Sequence, residues 1–138
     1  MGQRKGKEIL MDNKRQKVFV IAEAGVNHNG DIKIAKQLID AASEAGADAV
    51  KFQTFQADSL VCRTAKKAEY QLETTDRTET QYDMLKKLEL TPQMHRELIE
   101  HCIKRNIMFL STPFDLESIK LLSELGMQIY KIPSGEIT

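Results

Sequence analysis

The sequence has 138 residues, room for one modest domain with a core but not for two. Its 20 basic side chains are balanced by 20 acidic ones, so no positive excess is available to hold a polyanion, and nucleic-acid binding is not expected. The longest apolar runs, such as Val18 to Ala22, are far too short to span a bilayer, and no membrane partner is expected either.

In chain order, residues 1–17 come first and carry Arg4, Lys5, Lys7, Lys14, Arg15 and Lys17 against Glu8 and Asp12. They lack the apolar centre of a signal peptide and the hydroxyl at position six that myristoylation requires, and they read as a basic, disordered tail. From Val18 onward, short apolar runs alternate with helical stripes. Val18-Phe19-Val20-Ile21-Ala22 suits a strand buried on both faces. Ala35, Leu38, Ile39, Ala42 and Ala45 then fall on one helical face, with Asp31 as N-cap and Gly46 as the left-handed stop. Ala49 to Gln53 is the second strand.

Nearly forty residues separate Gln53 from Pro92, where a βα loop needs only a handful. The middle is polar and Thr-rich (Glu73 to Thr80), followed by a short helical signal in Tyr82, Leu85 and Leu88. Such a loop is either a functional cover or disorder. Thr91 and Pro92 then open a helix with the stripe Leu98, Ile99, Cys102 and Ile103, stopped at Asn106. Met108 to Ser111 is the third strand. Asp115 caps a third helix with Ile119, Leu122 and Leu125, ending at Gly126, and Met127 to Lys131 is the fourth strand.

Strand, helix, strand at this rhythm means βαβ units and a parallel sheet, hence an α/β fold. An open doubly wound sheet and a (β/α)8 barrel both satisfy it. The first turn, Glu23 to Gly30, carries no G-x-G-x-x-G, and no G-x-x-x-x-G-K-[ST] loop is present, so the barrel is favoured. Four strands cannot close one.

The chemistry-bearing residues follow the strands. Glu23 ends the first, Lys51 and Gln53 lie on the second, Ser111 and Thr112 end the third, and Lys131, Ser134 and Glu136 follow the fourth. In a barrel these meet at the C-terminal mouth. A lone strand-end lysine is ordinarily a solvated rim charge. Together, though, Lys51 and Lys131 with the hydroxyls of Thr112 and Ser134 would make an anion site, because phosphate and carboxylate need fixed positive charge and several donors. Glu23, Gln53 and Glu136 suit sugar hydroxyls, and the glutamates can also move protons. An ion pair between Glu23 and one of the lysines is compatible with either reading. His28 either lines the site or stabilises its turn. His95 and His101 are six apart on one helix and cannot share a metal, and no cluster completes a zinc site, so no metal site is expected within the chain. Cys62 and Cys102 lie forty positions apart with no Cys-x-x-Cys pair, which points to a reduced, cytoplasmic protein.

Four blocks, Ile21 to Gly30, Val50 to Thr54, Ser111 to Phe114 and Tyr130 to Glu136, together resemble the bacterial sialic acid synthase family, whose members make N-acetylneuraminate, legionaminate or pseudaminate. Ala65 to Gln71 is similar to that family's second βα loop. The resemblance spans residues 18–138 and implies the N-terminal half of a TIM barrel, about the first four βα units, followed in the family by a small antifreeze-like domain and a domain-swapped homodimer. It implies a transferase that joins C3 of phosphoenolpyruvate to the aldehyde carbon of an open-chain N-acyl mannosamine-type sugar. Water adds at C2 and phosphate leaves by C–O cleavage. A divalent metal, typically Mn2+, would polarise the aldehyde, with its ligands on later strands outside this chain. By the same resemblance Lys51, Thr112, Lys131 and Ser134 would hold phosphoenolpyruvate, Glu23 and Gln53 would contact the sugar, and Glu136 would orient groups or handle protons at the reacting centre. With only these units, the isolated chain is expected to be inactive. The rival readings are a non-catalytic half-barrel interaction module and a related 3-deoxy sugar-acid synthase preferring a sugar phosphate.

Overall fold

The structure is a computed structural model that describes residues 18–60 and 80–137. The expected basic tail, Cys62, Ala65 to Gln71 and the Thr-rich stretch 73–79 lie outside the described residues. The elements are β1 (Ile21–Gly25), α1 (Ile32–Glu44), β2 (Ala49–Thr54), α2 (Ala57–Leu60), α3 (Gln81–Leu88), α4 (Pro92–Lys104), β3 (Met108–Pro113) and α5 (Leu116–Glu124), with a 3-10 turn over Ser134–Glu136. The strands form a parallel sheet in the order β1-β2-β3, which gives the expected α/β class.

Four of the five described helices start where their capping chemistry dictates. Asp31, Thr91 and Asp115 accept backbone N–H bonds from Lys33, Met94 and Ser118, satisfying donors that a first helical turn leaves unpaired. Thr80 and Asp83 form a reciprocal capping box on α3. Asn106, Gly46 and Gly126 take the left-handed conformation after α4, α1 and α5.

Helices α1 and α4 cover one face of the sheet. Ala35, Ile39 and Ala42 pack with Leu98 and Cys102 over Ala24, Val50 and Phe52, and Phe109 stacks on Phe52 at 5.7 Å. At their rim the helices are joined by Lys36–Glu97, Asp40–His101 and Glu44–Arg105, each pair 61 residues apart. A constant offset requires the helices to run parallel, as successive βα units must. Arg105 Nε also lies 2.9 Å from Asp40, as an ion pair without hydrogen-bond alignment.

Three expectations are corrected. The first strand is Ile21–Gly25 rather than Val18 to Ala22, because the ladder pairs Ile21 with Ala49. Val20 instead bonds to Asp48 through both its N–H and its carbonyl, and Val18 to Ile21 are exposed. The apolar stripe of α4 is His95, Leu98 and Cys102, so Ile103 points to solvent, as does Ile119 on α5. Met127 to Lys131 is not a paired strand. Among the described residues the sheet ends at β3, and Ile129 and Ile132 stay exposed, so burial gives this apolar run no drive to pair.

Candidate functional site

Alternation along a strand divides the sheet into two faces. The register pairs Val50 with Phe109 and Phe52 with Ser111, which places them with Thr54 on the helix-covered face. It pairs Glu23 with Lys51 and Gln53 with Thr112, which places these four on the opposite face. A Lys and a Gln between apolar neighbours on β2 are thus the open-face members of a half-buried strand.

On that face three side chains meet. Lys51 Nζ lies 2.5 Å from Glu23 Oε2 and 3.3 Å from Thr112 Oγ1. The ammonium side chain is only 12% exposed, whereas the carboxylate is 52% exposed. A cation so enclosed requires its counter-charge, while the carboxylate remains hydrated and free to be displaced. Thr112 is buried. The ladder slips between Glu23 and Gly25, and Gly25 has φ +55°, a backbone that favours glycine. A β-carbon there would lie 3.2 Å from Glu23 Oε1 and 3.8 Å from Gln53 Nε2. The irregularity therefore brings Glu23 and Gln53 to one point beside Lys51.

Lys131 and Ser134 are not in this cluster. Both are exposed on the segment outside the sheet, and Glu136 closes the 3-10 turn. Chemically, the three-residue cluster offers one enclosed ammonium and one hydroxyl to an anion, with a displaceable carboxylate and a nearby amide. Among the described residues no group of three or more His, Cys, Asp or Glu side chains could hold a metal ion. The cluster's one carboxylate, one ammonium and one hydroxyl do not by themselves fit Mn2+, whose ligands are expected outside this chain. No described helix is long and apolar enough to cross a membrane.

The histidines lie elsewhere. His28 Nδ1 accepts the N–H of Gly30 at 2.9 Å, and its ring is buried 6.1 Å from Phe52 on the helix-covered side. It stabilises its turn rather than lining the open face. Burial, and then the proximity of His95, lower its pKa. Gly30, at φ +77°, is held under the backbone of α3, since a β-carbon there would fall 2.1 Å from the Lys87 carbonyl oxygen. The end of the long β2–α4 connection thus packs directly on the first βα loop. Tyr82 and Lys86 of α3 also reach Asp58 of α2, and Glu89 accepts from the Ala57 N–H.

Sequence reasoning missed a buried polar chain behind the site. Thr54 Oγ1 lies 2.8 Å from His95 Nε2 and 2.6 Å from Ser111 Oγ, and His95 Nδ1 lies 2.9 Å from the Thr91 carbonyl. All three side chains are essentially inaccessible, and burial lowers the pKa of His95. The signal was present: His95 sits at i, i+3 and i+7 with Leu98 and Cys102, and Thr54 follows Phe52 at the strand period.

The chain is similar to known proteins. The model of the NeuB family matches residues 38–138. The N,N'-diacetyllegionaminic acid synthase of Campylobacter jejuni is 60% identical over 123 residues, 89% of this chain and 37% of that protein. The enzyme of the same name from Legionella pneumophila is 58% identical over 120 residues, 87% and 34% of the two chains. The crystal structure of an N-acetylneuraminic acid synthetase from Leptospira borgpetersenii, in complex with citrate, aligns with a TM-score of 0.66 at 36% identity, covering 83% of this chain and 35% of the other. This chain therefore spans about a third of the length of the relatives it matches.

Proposed function

This chain belongs to the NeuB family, and on that premise we propose that it forms the phosphoenolpyruvate-binding part of a synthase acting on an N-acylated amino sugar. Its sheet is the opening part of a (β/α)8 barrel, and Glu23, Lys51, Gln53 and Thr112 lie at the barrel's C-terminal mouth. The product is a sialic-acid-like nonulosonate. The relatives named N,N'-diacetyllegionaminic acid synthase favour a diacetylated acceptor.

The observation that carries this reading is the enclosed Lys51 ammonium, bonded to Thr112 and paired with a carboxylate that stays half exposed. Phosphoenolpyruvate offers a phosphate and a carboxylate. Either can take the place of Glu23 on Lys51, with the Thr112 hydroxyl donating beside it. Glu23, once displaced, stands next to Gln53 and is free to accept from sugar hydroxyls. Lys131 and Ser134 complete the anion site when residues 127–131 pair beside β3, and Glu136 then reaches the reacting centre. Carbon–carbon bond formation joins C3 of phosphoenolpyruvate to the aldehyde carbon. Water adds at C2, and the C–O bond to phosphate breaks to release inorganic phosphate. The divalent metal takes its ligands from outside the described residues.

Titrating phosphoenolpyruvate into the chain, with pyruvate and inorganic phosphate as controls, tests the reading by NMR. Resonances of Lys51, Thr112 and Gln53 are expected to shift, most with phosphoenolpyruvate. Shifts confined to other surfaces, or none, would refute it.

A further inference from the structure

We propose that His95 is a positioning residue for the Lys51–Thr112 anion site, acting through the hydroxyls of Thr54 and Ser111. The inference rests on the anion-site reading above.

The direction of every bond in this chain is fixed. A backbone carbonyl can only accept, so His95 Nδ1 carries the proton donated to Thr91. In the neutral ring Nε2 is then an acceptor, and the Thr54 hydroxyl must donate to it. Thr54 Oγ1 has lone pairs left, and the Ser111 hydroxyl donates to them. One imidazole thus orders two hydroxyls on neighbouring strands, and the first turn of α4 anchors the imidazole.

The placement gives this order its consequence. Thr54 directly follows Gln53, and Ser111 directly precedes Thr112. The register pairs Gln53 with Thr112. The two hydroxyls therefore join β2 to β3 on the covered face at the level where Gln53 and Thr112 stand on the open face. A 2.6 Å bond there sets the strand spacing and twist from which Thr112 Oγ1 reaches Lys51. Valine and alanine would fill the same space without obliging the strands to hold one geometry, and replacing all partners of a buried hydrogen bond by apolar groups is often nearly neutral for stability. A directional network confers uniqueness of geometry.

The test measures phosphoenolpyruvate affinity, the thermal midpoint and NMR spectra for the chain and its variants. Ser111→Ala and Thr54→Val are expected to weaken phosphoenolpyruvate by about 10-fold to 100-fold, the effect of a small misplacement behind a site. The triple variant Thr54→Val/Ser111→Ala/His95→Phe is expected to regain most of the thermal midpoint but not the affinity. The Thr91 carbonyl stays satisfied in it by the helical backbone N–H at position 95. His95→Gln, which keeps a donor and an acceptor, is expected to restore part of the affinity. A triple variant whose affinity recovers together with its midpoint would show a purely structural role and overturn the proposal. A chain that binds no phosphoenolpyruvate would instead defeat the functional reading. In that case the Thr112 methyl and Gln53 amide resonances of the unliganded chain still decide, because their failure to move in Ser111→Ala refutes positioning. If His95→Phe variants do not fold, Ser111→Ala alone supports both measurements.

Discussion

Lys51 and Glu23 form one ion pair with two very different partners, and their removal should have opposite consequences. Lys51→Met leaves Glu23 as a half-exposed carboxylate that water can solvate, so the stability change stays within about 1 kcal/mol, as for other solvated pairs. Phosphoenolpyruvate, however, loses the one enclosed cation of the cluster. Truncating one member of an enclosed charge pair typically costs about 2–5 kcal/mol, roughly 30-fold to several-thousand-fold in affinity. Glu23→Gln does the reverse. It replaces the counter-charge of an ammonium that is only 12% exposed by a neutral amide, beside the Thr112 hydroxyl at 3.3 Å, a loss of about 1–3 kcal/mol in stability. Phosphoenolpyruvate affinity is then unchanged or higher, since no carboxylate has to be displaced. Calorimetric titration and thermal melts on the two variants read both axes. Lys51→Met with an affinity change below about 0.5 kcal/mol, the size of an ordinary surface substitution, would refute the reasoning, as would a Glu23→Gln variant that loses phosphoenolpyruvate but no stability.

Three further outcomes follow from the geometry. Gly30→Ala should cost roughly 3 kcal/mol or more, combining a left-handed backbone with a β-carbon 2.1 Å from the Lys87 carbonyl oxygen. Gly46→Ala, at a similar φ of +79° but with open space around it, should cost only about 1–2 kcal/mol; equal losses in urea melts would contradict the packing of α3 on the first loop. Cys102 is buried and its thiol pKa is pushed up to about 12, leaving about one thiolate in ten thousand at pH 8. Iodoacetamide should therefore label it only after unfolding, and rapid labelling of the native chain, read by peptide mass spectrometry, would count against this core. His28 and His95 both have pKa values lowered below 6.5 by burial, so below that pH the unfolded chain binds more protons than the folded one. Their contribution is fully present above pH 6.5 and is lost as pH falls, by at most about 1.4 kcal/mol per pH unit for each; a stability flat from pH 7.5 to 5.5 would show that they are not held neutral.

The sequence by itself determined the alternation of strands and helices, the class of the fold, and the helix starts and stops. Asp31, Thr91, Asp115, Gly46, Asn106 and Gly126 act where the sequence places them. These features are legible because capping, left-handed turns and the 3.6- and 2-residue periods depend on residues within one or two turns of each other. The sequence also associated Glu23, Lys51, Gln53 and Thr112 with the three strands, since a polar residue interrupting an apolar strand is a local signal.

Only the tertiary structure decided which of them touch. Register is set by hydrogen bonds between strands far apart in the chain, and it alone put Glu23 and Thr112 on Lys51. The same ladder moved the first strand to Ile21–Gly25. Burial across α4 and the sheet turned His95 from an unremarkable helical residue into the anchor of Thr54 and Ser111. The run at Met127 to Lys131 carries the local signal of a strand, yet it stays unpaired. A strand exists only with a neighbour, and hydrophobic pattern fixes what a segment can become while partners fix what it is.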